Sequence, residues 1–320
     1  MNEQTTRVQQ NRKKFNVGKF LKKNVPCWLY VLPVMLGLLM FTLVPMITSL
    51  VFAFNDYDPY DPDPAYQLTN FGIQHFQYLL SPKGELFPIL KSLFVTFRYV
   101  VVSLTLQIIG SYCVALFLNQ QTKGVGAFRI VYYLPNLIPA VAGTLLWKDI
   151  LKPDTTGYIN MILNTLNLPI CKFYSSPETV LPTMLFTGIF SWGGTAVMWL
   201  AQMQNVPKEM YESADLDGAN YFWKTFRITI PMTTSMLFYV IVTSVIGGIQ
   251  QFSGVYPLLG VAGDEVRFIV VKIYEFAYDP SYDFGMSRAC ALSWVLFVVI
   301  GSLTAVMFKT SGWVYYGEES

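Results

Sequence analysis

Charged residues occur in bursts along this 320-residue chain, and between the bursts lie long runs that carry none. A mostly apolar run of about 20 residues is long enough to cross the hydrocarbon core of a bilayer as a helix. Six candidates stand out. The first is uncharged from Trp28 to Asn55 and predicts a span over 28–54. The second, Tyr99 to Thr122, predicts 99–121. The third, Ile130 to Trp147, predicts 130–147 and is interrupted by Pro135 and Pro139. The fourth is uncharged from Thr179 to Pro207 and predicts 180–203. The fifth lies within Ile228 to Gly263, centred on 233–252, and the sixth covers 289–308. Unpaired backbone is costly in lipid, so a helix is expected for each. The prolines of the third require a kink or a covering of protein.

The pattern therefore predicts an all-α integral membrane protein with six transmembrane helices over 28–309. A basic tail, 1–27, precedes them and a short tail, 310–320, follows. The first run is too long for a signal-peptide core and lacks a convincing cleavage site. Composition agrees: 53% of residues are hydrophobic and only 13% charged, against about 25% charged in soluble domains. A net charge of +2 provides no basic field for nucleic acid.

Orientation follows from Lys and Arg. Seven of them (Arg7, Arg12, Lys13, Lys14, Lys19, Lys22 and Lys23) directly precede the first span. This places the N-terminus in the cytoplasm, and six crossings return the C-terminus there. Lys123, Arg129, Lys208, Lys224, Arg227 and Lys309 then also lie inside. The outer loops, near 56–91, 148–178 and 253–288, hold two acidic groups: Asp56, Asp58, Asp61 and Asp63, then Asp264, Glu265, Glu275, Asp279 and Asp283. The basic tail reads as a topology signal near anionic lipid.

Much chemistry is excluded. The single histidine, His75, rules against His-based triads and multi-histidine metal sites, and reads as an outer-loop packing residue. No G-x-x-x-x-G-K-[ST] phosphate loop occurs. Cys27, Cys113, Cys171 and Cys290 do not form a disulfide framework. Arg98 is the main charge inside a span, near the outer end of the second, where it can snorkel. No catalytic constellation and no metal site is expected.

The segment between spans four and five, 205–231, carries the most information. Pro207 suits a helix start, Lys208 to Asp217 suits a short helix, and Gly218 can take the left-handed conformation that ends one. A second short helix, about Asn220 to Ile228, then meets Pro231. The result is a helix–Gly–helix elbow on the cytoplasmic face. Small Ala214 and Ala219 allow a partner backbone to approach, and Glu212 offers a carboxylate to a partner's Arg. An amphipathic loop lying on the bilayer is the competing interpretation.

The run Tyr211-Glu-Ser-Ala-Asp-Leu-Asp-Gly-Ala219, followed by Phe226-Arg-Ile-Thr-Ile-Pro231, resembles the EAA loop of binding-protein-dependent ABC importer permeases. Glu212, Ala214, Asp217, Gly218, Ala219, Phe226, Ile228 and Pro231 match the pattern; Ser213 and Ile230 depart mildly from it. Leu134-Pro135, Trp147, Pro153, Gly157, Asn160, Ala201, Pro207 and Asp283-Phe284-Gly285 extend the likeness to the carbohydrate branch and its maltose-type permeases over nearly the whole chain. The large insertion of the longer maltose subunit is missing.

The resemblance implies the six-helix type I (MetI-like) core in a bacterial or archaeal cytoplasmic membrane, carrying an oligosaccharide or other carbohydrate. It implies four kinds of partner: a second homologous permease, two ATP-binding cassette subunits, an external solute-binding protein and membrane lipid. No cofactor is bound by the chain itself, because ATP and Mg are used in the ATPase subunits. Glu212, Ala214, Asp217, Gly218, Ala219, Phe226 and Pro231 are the expected ATPase-coupling residues. Thr187, Phe190, Ser191, Trp192 and Gly194, with Ser244, Gly248 and Gln251, are the expected substrate path. Small polar groups beside aromatics suit a neutral polyol, and the same groups also serve ordinary packing between membrane helices. Import of a non-sugar solute, or ion-coupled secondary transport without an ATPase, stays open at this point.

Overall fold

In lipid, a backbone must pair within itself, and a helix does so without a neighbour. The computed structural model describes residues 29–59, 68–120 and 124–315, and these are helical almost throughout. Among them the only strand-like feature is an isolated bridge between Asp56 and Thr69. The predicted tail 1–27, Trp28, Asp61, Asp63, Lys123 and residues 316–320 of the final tail lie outside the described residues.

The chain divides into two compact units, 1–52 and 53–320. Helix α1 (Leu29–Ala53) fills the described part of the first unit. It widens into a π turn at Leu39–Leu43. The Thr48 and Ser49 hydroxyls donate back to the Val44 and Met46 carbonyls at 2.9 and 2.8 Å, which satisfies them within an apolar stretch.

In the second unit, short α2 (Gln74–Leu80) leads to the longest helix, α3 (Leu86–Leu118). This helix begins well before the predicted span 99–121. The charges that ended the uncharged run are neutralised by a distant loop: Lys91 pairs with Asp264 and Arg98 with Glu265, each at 2.6 Å. A paired cation has no reason to end a helix.

Three of the predicted spans are bent. Helix α4 (Val125–Tyr133) passes through a 3-10 turn, Leu134–Leu137, and turns by 98° into α5 (Ala140–Ile150). Pro139 stands at the corner, immediately before α5. After α6 (Tyr158–Thr165), α7 (Pro177–Gly188) continues through Ile189–Ser191 and bends by 48° into α8 (Gly193–Gln204). Beyond α9 (Lys208–Leu216), α10 (Tyr221–Met232) bends by 63° into α11 (Thr234–Ile249). Short α12 (Ile269–Tyr278) precedes α13 (Gly285–Lys309). Helices α1, α3 and the run from Gly285 to Trp313 are each long and apolar enough to cross a membrane, and counting each bent pair as one crossing gives six.

Helix α3 is the axis on which α8 and α11 pack. At one end, near the 205–231 elbow, Ala115, Leu118, Trp199, Leu200, Met203 and Val240 form an apolar core. Trp199 Nε1 donates to Ser111 Oγ at 3.1 Å inside it. At the opposite, loop-bearing end, Val95, Tyr174, Val180, Met184, Leu258 and Phe268 form another. Here Thr96 Oγ1 accepts from the Ile269 N–H at 2.9 Å and docks the start of α12 on α3.

Two buried polar knots hold the loop end. Lys272, with its side chain 7% exposed, pairs with Glu85 at 3.1 Å. It also donates to the Tyr282 hydroxyl at 3.0 Å and lies 4.7 Å from the Phe276 ring centroid. In the second knot, Asp56 accepts from Asn70 at 2.8 Å, Gln74 at 3.1 Å and His75 at 3.0 Å. Ser287 of α13 donates to the Asn55 carbonyl at 2.7 Å and accepts from the Tyr57 N–H at 2.9 Å. Burial pushes the His75 pKa below its ordinary 6.5, and Arg288 adds to this, while Asp56 and the Asn55 carbonyl oppose it. Neutral His75 with its proton on Nε2 can make both contacts, to Asp56 and to the Asn55 carbonyl at 3.1 Å.

Removing one member of a buried ion pair leaves the other bare, so Lys272→Met should destabilise the protein by about 3 kcal/mol or more. The double variant with Glu85→Gln should recover part of that loss; both are read from the melting of the purified complex. His75 contributes in the opposite pH sense from a paired carboxylate's acid partner. Its folded pKa is depressed, so its stabilisation is complete above about pH 6.5 and is lost as pH falls through the folded value. The thermal midpoint should therefore fall as pH drops below about 6.5, and fall less in His75→Gln.

Candidate functional site

The breaks in the α4–α5 and α7–α8 pairs lie against each other. Glycine makes this possible. A Cβ on Gly193 would sit 2.5 Å from the Tyr132 carbonyl oxygen and 3.2 Å from Tyr133 Cα, so the two backbones touch. The neighbouring residue, Trp192, turns the other way. Its ring fills the space above Gly110 of α3, where a Cβ would lie 2.1 Å from the indole.

Beside the breaks is a cavity of about 300 Å³, at the lower end of the usual range for small-molecule sites. One wall is aromatic: the Trp147 ring centroid is 5.0 Å from that of Phe190, and Phe186, behind the wall, is 5.8 Å from Phe190. The polar groups are hydroxyls and one amide, from Tyr99, Thr144, Tyr174, Thr187, Ser191 and Gln251. Tyr174, almost fully buried, shares a 3.4 Å contact with Thr187 Oγ1. Thr144 Oγ1 donates to the Ala140 carbonyl at 2.9 Å and reaches the Gly254 carbonyl at 3.3 Å, which ties α5 to the loop after α11. None of the lining residues is charged.

Of the residues expected along a substrate path, Thr187, Phe190, Ser191 and Gln251 line this cavity together. Trp192 packs on Gly110, and Gly194 lies in a separate groove with Arg129 and Val197. Gly248 faces Val100 of α3, and neither it nor Ser244 reaches the cavity. Sequence reasoning did not name Tyr99, Thr144, Trp147 or Tyr174 for this wall. The proline-interrupted third run was a usable signal for Thr144 and Trp147, because a broken span leaves backbone and side chains around a hole. Tyr99 and Tyr174 carry no such mark.

The elbow is a small folded unit. Val206, Ala214 and Ile228 form its core with Tyr211, Ala219 and Met232 packed around it. Ala214 turns inward, so its small side chain serves the close packing of α9 on α10 rather than an outside backbone. Gly218 has φ +76° and ends α9, the left-handed geometry that glycine adopts at least cost. Asn220 then caps α10, its Oδ1 accepting from the Trp223 N–H at 2.8 Å. Lys224 bridges to Asp215 at 2.6 Å, and the Tyr211 and Thr229 hydroxyls meet at 3.0 Å. Several large apolar side chains are left outside: Leu216 is 91% exposed, Phe222 71%, Phe226 65% and Trp223 50%. Glu212 and Asp217 are exposed beside them, and Pro231 is exposed where α10 approaches its bend.

This architecture is shared. No protein-family model matches the chain. It is 30% identical over 299 residues to the probable ABC transporter permease protein YesP of Bacillus subtilis (strain 168), covering 92% of this chain and 93% of that one. It is 26% identical to the arabinooligosaccharides transport system permease protein AraP of the same organism, over 92% of this chain and 90% of the other. It is 25% identical to the trehalose/maltose transport system permease protein MalF of Thermococcus litoralis, over 88% and 92%. A crystal structure of a bacterial ABC transporter involved in import of the acidic polysaccharide alginate superposes with a TM-score of 0.78 at 22% identity, covering 92% of this chain and 98% of that one. The chain belongs to the permease subunits of ABC transporters, the multi-pass membrane components of these systems.

The glycine contacts are directly testable. Gly110→Leu should force Trp192 from its seat and lower stability by about 1–3 kcal/mol. Gly126→Leu, where a Cβ meets nothing within 4 Å, should leave the thermal midpoint unchanged.

Proposed function

We propose that this chain is the permease subunit of an ATP-driven, binding-protein-dependent importer of a neutral oligosaccharide or glycoside. The observation that carries this reading is the uncharged cavity at the paired helix breaks, with hydroxyls and one amide facing an aromatic wall. Sugars offer the complement, apolar ring faces for Trp147 and Phe190 and hydroxyls for Thr187, Ser191 and Gln251. Several named relatives carry sugars: arabinooligosaccharides, trehalose and maltose. The alginate importer's cargo is an acidic polysaccharide, and a wall without a cation is suited to a neutral glycan instead.

The chain crosses the membrane six times, counting each bent pair as one span, with both termini in the cytoplasm, and pairs with a second homologous permease. Two ATPase subunits, which bind the ATP and Mg, dock below. An external binding protein delivers the sugar; one alginate transporter structure contains such a periplasmic protein loaded with a pentasaccharide. The elbow 205–231 is the EAA loop. Its exposed Leu216, Phe222, Trp223 and Phe226 form an apolar patch on an otherwise polar loop, as expected of a docking surface. Glu212 pairs with a basic residue of the ATPase, and Asp217, Gly218, Ala219 and Pro231 shape the turn that presents the patch. ATP-driven closure moves the elbow and rocks the bent spans between inward-open and outward-open states.

Two measurements test this. The complex carrying Gly218→Trp or Glu212→Lys should fail to retain the ATPase subunits or lose stimulated ATP hydrolysis, whereas Gly218→Ala, strained by about 1 kcal/mol, should keep both. Normal assembly and coupling in the Trp and Lys variants would sink the docking assignment. In proteoliposomes, neutral oligosaccharides should enter in preference to uronic-acid oligosaccharides of equal length, with uptake reduced in Gln251→Ala. The reverse preference would overturn the neutral-sugar reading.

A further inference from the structure

The bend between α7 and α8 releases backbone groups that a straight helix would pair internally. Trp192 N–H reaches back only to the Ile189 carbonyl, and regular pairing resumes with Ala196 N–H donating to the Trp192 carbonyl at 2.9 Å. The N–H groups of Gly193 and Gly194, at the start of α8, therefore have no partner in their own helix. The Ser191 carbonyl faces the same gap. In most helices a side chain just before the first turn fills this role, but Trp192 occupies that position and its indole is packed on Gly110.

The missing cap comes from the other broken span. Asn136 lies in the 3-10 turn Leu134–Leu137, directly before the corner at Pro139. With its amide oriented by its neighbours, Nδ2 donates to the Ser191 carbonyl at 2.7 Å. Oδ1 accepts from the Gly194 N–H at 2.7 Å and from the Gly193 N–H at 3.2 Å. One side chain thus satisfies three backbone groups across the break. Asparagine is suited to this because it presents a donor and an acceptor at the same tip. The fit is tight, since any Cβ on Gly193 would collide with the amide and with the Tyr132 carbonyl together. Asn136 is absent from the cavity wall, although Pro135 and Ile138 on either side of it line that wall. Its polar atoms are committed to the backbone and do not face the space where a solute would sit.

We propose that Asn136 is a positioning residue: its amide caps the broken α7–α8 backbone from across the helix pair and joins the two breaks into one hinge that persists through the transport cycle. Ser191 and Phe190, immediately before the capped groups, are held in the cavity wall by that joint. The two bent spans then move together, since parting them would expose three backbone groups at once in a site of low dielectric.

Hydrogen–deuterium exchange of the assembled transporter in nanodiscs tests this, read on peptides covering 189–197, both nucleotide-free and trapped with ADP and vanadate. The wild-type Gly193 and Gly194 amides should be protected in both states. In Asn136→Leu, of similar size but without donor or acceptor, their exchange should accelerate about tenfold, while peptides from α11 and α13 keep their wild-type rates. A merely structural defect would raise exchange throughout. Asn136→Asp keeps acceptors for both N–H groups and should retain their protection. If the Leu chain does not assemble, Asn136→Gln, whose extra methylene misplaces the amide, replaces it with the same expectation of faster exchange. Wild-type protection in both the Leu and Gln chains would overturn the cap. Loss of wild-type protection on vanadate trapping would overturn its persistence. The nucleotide-free arm involves neither substrate nor ATP turnover, so the cap stands or falls apart from the sugar reading.

Discussion

A bent helix in a membrane must find partners for the backbone groups it frees, because lipid offers none. Three of the candidate spans in this chain are bent by 48° to 98°, and the rest of the structure is arranged around meeting that demand. Thr233, at the corner between α10 and α11, donates to the Thr229 carbonyl at 2.9 Å. Thr144, one turn into α5, covers both its own helix and the loop after α11. Asn136 bridges between two breaks. Unbroken α3 carries no such burden and serves as the support on which α8 and α11 are mounted.

The same constraint explains where a solute can sit. A continuous apolar helix leaves no polar surface inside a bundle. A broken one shifts hydroxyls and carbonyls out of register and opens space between its halves. The cavity lies where two breaks face each other, and half of its polar lining, Thr144, Thr187 and Ser191, comes from the two bent spans. Fold and site are in this sense one feature: the bends that cost most in lipid are also what creates a polar chamber within it.

Much of this could be read from the residues. Runs without charge marked the helical segments, Pro135 and Pro139 marked the third as broken, and Gly218 marked the end of α9, where it has φ +76°. Thr187, Phe190, Ser191 and Gln251 were named for a path and share one cavity. Other features were not legible, for physical reasons. The start of α3 at Leu86 was hidden because Lys91 and Arg98 look like a boundary until their partners, more than 160 residues away, are known. The bend at Trp192 has no proline to announce it. Whether a glycine such as Gly248 faces a hole or a neighbouring helix depends on what stands opposite, here Val100. Ala214 was read as a contact for a partner, whereas the elbow's own core claims it.

The ion pairs that escaped sequence reasoning also bear on how the protein is made. Arg98 enters the bilayer early in synthesis, but Glu265 is not yet translated at that moment, nor is Ile269, whose N–H will meet Thr96. A nascent α3 therefore waits with an unneutralised guanidinium, and with Thr96 Oγ1 bonded only to the Ser92 carbonyl of its own helix, until about five sixths of the chain has been made. Biogenesis must shelter that intermediate, by holding α3 at the lateral gate of the insertion machinery or by letting its basic end rest among headgroups. The contacts that close over the basic end of α3 thus come from a loop made long after α3 itself, between α11 and α13.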